Sequence, residues 1–396
     1  MIDWITARVP VRSASDLKTG EVSSVNKEGE VEWVSPKRIS VRGPYSGSVT
    51  VRSVGIGVVE IAGSPAKFLQ GHNAFGSDDL QGVGAAMIER ACKSLGLELL
   101  DEELVSVRHG RYDLLRVDIN YSFATGSRAN VLAWIDSAAA VGSLQHRGRG
   151  RFRKSTVAWG EGSRYWKLKA YSKGAETEAR NHELPETLPM RTRLAAWSDD
   201  KLRIELELHV RQLRKLGLDR ASSWRNGIPW ELFREYLAKL RLGGHVVLDP
   251  AALQSIPLTL RPTYSNWVHG SELLSLMSRA KYFRHRRQLL EYGINIGVPP
   301  QTGQVPTIRL SEYLETPCME VPSWAVGTEL YCEPAYDDEG AVGEQGSISV
   351  RQGSGVTRMA AKLGPAAPQP FLISAHLETV RTQAEHEYHN PLKKVA

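Results

Sequence analysis

Over its first 215 or so residues this chain repeatedly alternates apolar and polar positions with a period of two. Tyr165-Trp166-Lys167-Leu168-Lys169-Ala170-Tyr171-Ser172-Lys173 sets two tyrosines and three lysines on one side, with Trp166, Leu168 and Ala170 on the other. Arg116-Val117-Asp118-Ile119-Asn120 and Arg203-Ile204-Glu205-Leu206-Glu207-Leu208-His209 repeat the pattern with carboxylates. A period of two is that of a pleated strand with one face buried, so all three predict strands whose polar face is open. Residues 48–53, 55–62 and 115–123 read as further strands, punctuated by Gly, Pro, Asn and Asp. Helical spacing appears at 78–95 and 128–144. Strands with occasional helices and no regular βαβ alternation predict an α+β domain on a mainly antiparallel sheet.

Beyond about residue 220 the pattern turns helical. Residues 229–242 carry Trp230, Leu232, Phe233, Tyr236, Leu237 and Leu240, with Pro229 suited to a first helical turn. Residues 271–292 predict a second helix, stopped by Gly293 and strongly basic from Lys281 to Arg287. A Gly-, Glu- and Ser-rich passage follows Tyr336, then Pro365, Pro368 and Pro370. The expected organisation is a catalytic domain over 1–215, a smaller helical domain over 216–335 for DNA binding or assembly, and a linker and tail over 336–396.

Composition narrows the chemistry only a little. The 396 residues are 41% hydrophobic and 24% charged, as in ordinary globular proteins. Fifty Lys+Arg against 44 Asp+Glu leave a net charge of +6, which favours an anionic partner such as nucleic acid. Cys92, Cys318 and Cys332 are odd in number and lack metal spacing, so they suggest a reducing compartment rather than a disulfide framework or a zinc site. The first residues lack the basic-then-apolar order of a signal peptide, and no apolar run approaches the ~20 residues of a membrane span. Phosphate-loop, Gly-x-Ser-x-Gly and His-x-His motifs are absent, which argues against ATP hydrolysis, a hydrolase triad and a two-histidine metal strand.

What remains is the inventory of a nuclease. A tyrosine phenoxide attacks a DNA phosphate and conserves the bond for later religation, and Tyr171 is the candidate nucleophile. Its pKa near 10 demands activation, and Lys173, two residues on, is placed to assist on the same strand face. Phosphodiester cleavage generally uses Mg²⁺ or Mn²⁺, whose preferred ligands are carboxylate oxygens such as those of Asp118 and Glu205. Glu207 and His209 extend that row by strand geometry alone. His72, in the turn Gly71-His72-Asn73-Ala74-Phe75-Gly76, and Glu60 on the preceding strand are further metal candidates. Arg116, Arg203, Lys167 and Lys169 are candidate phosphate contacts. So is the run Arg147-Gly148-Arg149-Gly150-Arg151-Phe152-Arg153-Lys154, read as a flexible basic loop, and Arg287 in the basic helix. The bland alternative for each row is a solvated sheet face with cross-strand ion pairs.

The segment Gly63-Ser64-Pro65-Ala66-Lys67-Phe68-Leu69-Gln70-Gly71-His72-Asn73-Ala74-Phe75-Gly76 resembles the signature of the filamentous bacteriophage gene II replication proteins, as does the opening Met1-Ile2-Asp3. Ser155-Thr156-Val157-Ala158-Trp159, then Glu161, Ser163, Arg164 and Ala170-Tyr171-Ser172-Lys173, are similar in order and spacing. Arg116-Val117-Asp118 and Arg203-Ile204-Glu205 fall where that family has Arg-x-Asp and Arg-x-Glu elements; Tyr282-Phe283, Arg287 and Gly293 match more weakly. The resemblance implies a site-specific endonuclease and ligase of the host bacterial cytoplasm that starts rolling-circle replication. Such a protein nicks the viral strand of the double-stranded replicative form at the origin. Host helicase and DNA polymerase extend the 3′ end, and the displaced single strand is then recircularised. The resemblance places Tyr171 at the catalytic tyrosine, Asp118 and Glu205 as metal ligands, and His72 and Glu60 as members of that site. A non-catalytic origin-binding regulator is the alternative, and a homo-oligomer fits either reading.

Overall fold

The computed structural model describes residues 1–333 except 18–19, 146–147, 181, 243–244, 248–255, 293 and 298–306. Met1–Ala335 forms one compact unit. The expected linker and tail over 336–396, and Arg147, lie outside the described residues, as does the side chain of Arg149.

The period-two stretches become neighbours in one antiparallel sheet. Its strands, in chain order, include β1 (Ile2–Pro10), β2 (Ile39–Arg42), β3 (Ser48–Gly55), β4 (Val58–Gly63) and β5 (Asp113–Ala124). They continue with β6 (Arg151–Arg153), β7 (Thr156–Trp159), β8 (Trp166–Ser172) and β9 (Lys201–His209). Among the described residues the sheet has nine strands in the spatial order β6-β7-β8-β9-β5-β1-β4-β3-β2. Every pair in it is antiparallel. β8 and β9, separated by about 30 residues of chain, lie side by side, and β9 pairs in turn with β5.

One sheet face is the core. Ile5, Ala7, Val9, Val59, Ile61, Val117, Ile119, Leu168, Ala170, Ile204, Leu206 and Leu208 are fully buried there. The helix α1 (Arg128–Val141) lies against β7, β8 and β9. The helix α2 (Ile228–Leu237) puts Phe233 4.7 Å from the Tyr121 ring and 6.3 Å from Phe123, while Tyr236 meets Trp166 at 4.7 Å. Burying such aromatic side chains contributes about 2–3 kcal/mol apiece, which explains why the opposite face can be given over to charge.

Local chemistry adjusts the predicted helices. The first helical signal forms Leu80–Ser94, with the Asp79 carboxylate accepting from the Gly82 N–H as an N-cap. α1 stops at Val141 because Gly142 turns extended, where a Cβ would strike the Ala138 carbonyl. The expected 271–292 helix is two helices, Leu273–Leu276 and Arg279–Leu290. Met277 is extended and the Ser278 hydroxyl accepts from the Lys281 N–H, so a new helix is capped where periodicity alone ran on. The basic run 147–154 is also corrected: Gly148–Arg149 and β6 are strands, and β6 pairs with β7 as an edge of the sheet rather than a loose loop.

Candidate active site

The polar face of the sheet carries the candidate chemistry. Glu207 stands opposite Asp118 across β9 and β5, and Glu205 opposite Asn120. Asp118, Glu205 and Glu207 offer carboxylate oxygens all within 4.8 Å of one another. They are not on an open face as the alternation predicts: they are 2%, 5% and 3% exposed. Long cationic side chains from β5 and the neighbouring β8 pair with them. Arg116 donates to Asp118 at 2.8 and 2.6 Å and to Glu207 at 2.7 Å. Lys167 approaches Glu207 at 2.7 Å, Lys169 contacts both oxygens of Glu205 at 3.0 Å, and His209 Nε2 is 3.2 Å from Glu207. Arg116, Lys167 and Lys169 thus pair with carboxylates here, where the sequence predicts phosphate contacts.

The energetics of the trio are balanced against burial. Desolvation pushes the Asp118 carboxyl well above the ordinary carboxylate range, Arg116 opposes this, and Glu205 and Glu207 push it further up. Beside them sits Asn120, 1% exposed, whose side-chain oxygen and nitrogen both lack a hydrogen-bond partner. A buried amide without partners costs about 1–3 kcal/mol, so it needs a reason. Three hard oxygen donors beside an unpartnered amide oxygen fit Mg²⁺ or Mn²⁺, and they suit a softer, sulfur-preferring ion poorly.

Tyr171 lies next to this cluster. On β8 it stands opposite Arg203 of β9, with the ammonium of Lys169 4.8 Å from its ring centre. Burial and then Glu205 push its phenol well above the usual value, against an opposing pull from Arg203. Lys173 departs from the sequence expectation. The strand ends at Ser172, and Lys173 opens the short helix α3 (Lys173–Glu178), capped by the Ser172 hydroxyl. Its ammonium donates to Asn73 Oδ1 at 2.6 Å and to Glu176 Oε2, so in this structure it serves these two rather than the Tyr171 phenol. Burial lowers its pKa to about 7, with Glu176 opposing. Glu176 is held well below the carboxylate range: burial would raise it, but Lys173, His182 and Lys67 outweigh that.

The network extends to residues that the alternation does not single out. Asn73 Nδ2 donates to Asp3 Oδ1 at 2.7 Å, linking Asp3, Asn73, Lys173 and Glu176 in one chain of polar contacts. Asp3 falls in a segment chosen by family resemblance, Asn73 in the turn singled out for His72, and Glu176 sits one helical turn after Lys173. The segment around Asn73 is held by the helix Pro65–Gln70, with Ser64 capping its start and Gly71, at φ 84°, ending it.

Four expected site residues have other partners or other places. Arg203 is 1% exposed and donates to the Asn73 and Ala74 carbonyls and to Ser122, so in this structure it braces the Gly71–Gly76 turn. His72 accepts from the Ala74 N–H through Nδ1 and donates through Nε2 to the Leu330 carbonyl; with both ring nitrogens engaged it is not a member of the carboxylate cluster. Glu60 also stands apart, ion-paired with Arg8, Arg38 and Arg52. Arg287 lies on the separate helix Arg279–Leu290. On the β6 edge, Arg151 and Arg153 each sit 3.4 Å from Glu161, largely exposed, and Lys154 makes the turn at φ 54°.

A buried carboxylate trio, an orphaned amide and a tyrosine thus gather on one sheet face. Residues 1–227 match the family model for the N-terminal region of the phage gene II replication-associated protein, and residues 250–330 match the model for its C-terminal region. The replication-associated protein of this type from Enterobacteria phage I2-2 is 37% identical over 324 residues, covering 79% of this chain and 93% of that protein. Its counterpart of the same name from Enterobacteria phage fd is 30% identical over 177 residues, 40% of this chain and 42% of its own length. The chain belongs to the family of phage gene II replication-associated proteins. Among the described residues no helix is long and apolar enough to cross a membrane.

Proposed function

We propose that the chain initiates rolling-circle replication by nicking one strand of double-stranded origin DNA through Tyr171 and later rejoining the displaced strand. The observation that carries this reading is Lys169, which touches both the Tyr171 ring and the Glu205 carboxylate and so joins nucleophile and acid cluster in one site. Tyr171 Oη attacks phosphorus, the bond to the 3′ oxygen breaks, and the 5′ phosphate is left on the tyrosine. The phenolic proton passes to the departing oxygen by way of Lys173, once its ammonium turns from Asn73; a pKa near 7 suits transfer in either direction. Attack of a 3′ hydroxyl on the phosphotyrosine reverses the step and reseals the strand.

Asp118, Glu205 and Glu207 would hold a divalent cation, with Asn120 beside them; the ion, when bound, polarises phosphoryl oxygens and offsets the carboxylate charge that opposes phenol ionisation. Lys167, Lys169 and Arg116, displaced from the acids, would then be available to backbone phosphate. The test is relaxation of a supercoiled plasmid carrying the replicative-form origin. Tyr171→Phe is expected to abolish nicking and leave origin binding largely intact; undiminished nicking by that variant ends the proposal.

The second reading, a non-catalytic origin-binding regulator, is favoured by the complete pairing of the trio with Arg116, Lys167 and Lys169. A regulator shifts origin DNA in EDTA and never nicks it, whatever metal is supplied.

A further inference from the structure

The same sheet face continues past the carboxylate trio to a second charged centre with an excess of positive charge. Glu60 on β4 is 4% exposed and stands opposite Arg8 on β1 and Arg52 on β3. Arg52 reaches Glu60 Oε1 at 2.6 Å, Arg38 reaches the same oxygen at 3.3 Å, and Arg8 reaches Oε2 at 3.4 Å. Among the described residues Glu60 is the one carboxylate within ion-pair distance of these three arginines.

The charge count separates the two centres. Around the trio, Arg116, Lys167 and Lys169 match Asp118, Glu205 and Glu207 one for one. Around Glu60, three guanidiniums share one carboxylate and leave an excess of two positive charges. Three guanidiniums carry far more N–H donors than two carboxylate oxygens accept, and among the described residues only Arg52 adds a further partner, Ser35 at 3.2 Å. The Arg8 and Arg38 side chains are 47% and 55% exposed, so their remaining donors face solvent. Arg42, exposed on β2, alternates onto the same side as Arg38, the residue just before that strand. A buried acid that gathers several forks fixes their orientation in advance, which lowers the ordering cost of binding a phosphate.

Resting on the reading of the chain as a nickase, we propose that Arg8, Arg38 and Arg52, gathered on Glu60, form a phosphate-binding site for single-stranded DNA running to or from Tyr171. From Trp4, opposite Asp118, to Arg8, opposite Glu60, is four residues of β1. Strand geometry then puts the arginine centre roughly 16 Å from the trio, a span of a few nucleotides. The surface between them carries Trp4, Thr6, Thr50 and Ala62, none of them an acid that would repel a phosphate backbone. A flat face of this kind suits a strand whose bases are free to lie against it, as a duplex cannot.

The test is the salt dependence of binding, read by anisotropy in EDTA with a fluorescein-labelled oligodeoxythymidine 15-mer and, separately, a duplex of equal length. Each lost contact to a single strand lowers the slope of log K against log salt by about 0.7. Arg38→Gln should lower it by about that amount and Arg38→Gln/Arg52→Gln by about twice as much, while Arg38→Lys/Arg52→Lys keeps most of it. Arg214→Gln, the same charge change on an exposed side chain elsewhere, should leave the slope alone. An unchanged slope in the double Gln variant, an equal change in Arg214→Gln, or a loss confined to the duplex overturns the proposal. Because Arg38 is exposed, its single variant keeps the test valid even if the double variant folds poorly. Nicking by wild type and Tyr171→Phe, measured on the same preparations, separates failure of this site from failure of the catalytic reading.

Discussion

The ammonium of Lys169 lies 3.0 Å from each carboxylate oxygen of Glu205 and 4.8 Å from the centre of the Tyr171 ring. One cation therefore compensates a buried acid and faces the candidate nucleophile. Lys169→Met should leave Glu205 uncompensated and cost about 2 kcal/mol, between the values for exposed and for fully buried pairs. Urea unfolding in EDTA measures the loss, and Mn²⁺ should narrow it by supplying the missing charge. An unfolding midpoint that does not move would show that the pair carries no stability.

Asn120 separates a metal site from a purely structural ion-pair cluster. Its amide has no partner, so Asn120→Leu should keep or raise the stability of the metal-free protein, by about 1 kcal/mol at most. The same variant should bind Mn²⁺ more weakly, seen as a smaller rise in Tm on titration than wild type shows. At a hundredfold excess of ion over Kd, wild type should gain about 2.7 kcal/mol. Glu205→Gln should abolish most of the shift. Equal shifts in all three proteins would remove the trio as the binding site.

His72 should make the fold acid-sensitive. Burial lowers its pKa from 6.5 to about 3, the Leu330 carbonyl opposing the shift and the Lys173 and Arg203 cations adding to it. The unfolded chain takes up that proton near pH 6.5 while the folded one refuses it until about pH 3. Stability is therefore lost as the pH falls through this window. His72→Gln should flatten that part of the stability–pH curve relative to wild type, read by denaturant unfolding at several pH values. A curve parallel to wild type would assign the acid sensitivity to other groups.

Arg203 should prove structural. Arg203→Lys keeps the charge but loses the fork that holds the Asn73 and Ala74 carbonyls together with Ser122. A loss of about 2–4 kcal/mol is expected from the unmet buried acceptors. The salt slope of DNA binding should stay at the wild-type value, because this side chain does not meet solvent. A fall in that slope would restore Arg203 as a phosphate contact.

Much of the fold was legible in the chain. Alternation at 116–120, 165–173 and 203–209 marks β5, β8 and β9, because a strand with one buried face must repeat every second residue. Helix ends were less legible: the break at Met277 and Ser278 depends on a hydroxyl cap that competes with an otherwise continuous helical pattern. The basic run near 150 looked loose because its glycines are permissive, yet pairing with β7 makes it an edge strand.

For the candidate site, parity along each strand was enough to put Tyr171, Asp118, Glu205 and Glu207 on the polar face. Their partners and their burial came from the assembled sheet. Register across β8, β9 and β5 set each carboxylate against a particular cation, buried the trio, and left Asn120 without a partner. Folding also drew Asp3 and Asn73 to Lys173, sealed Arg203 and His72 within backbone contacts, and gave Glu60 to three arginines. The reason is that a period-two pattern is one-dimensional: it assigns a side to each residue but says nothing of which strand lies next to it, and charge pairing and burial are settled by those neighbours.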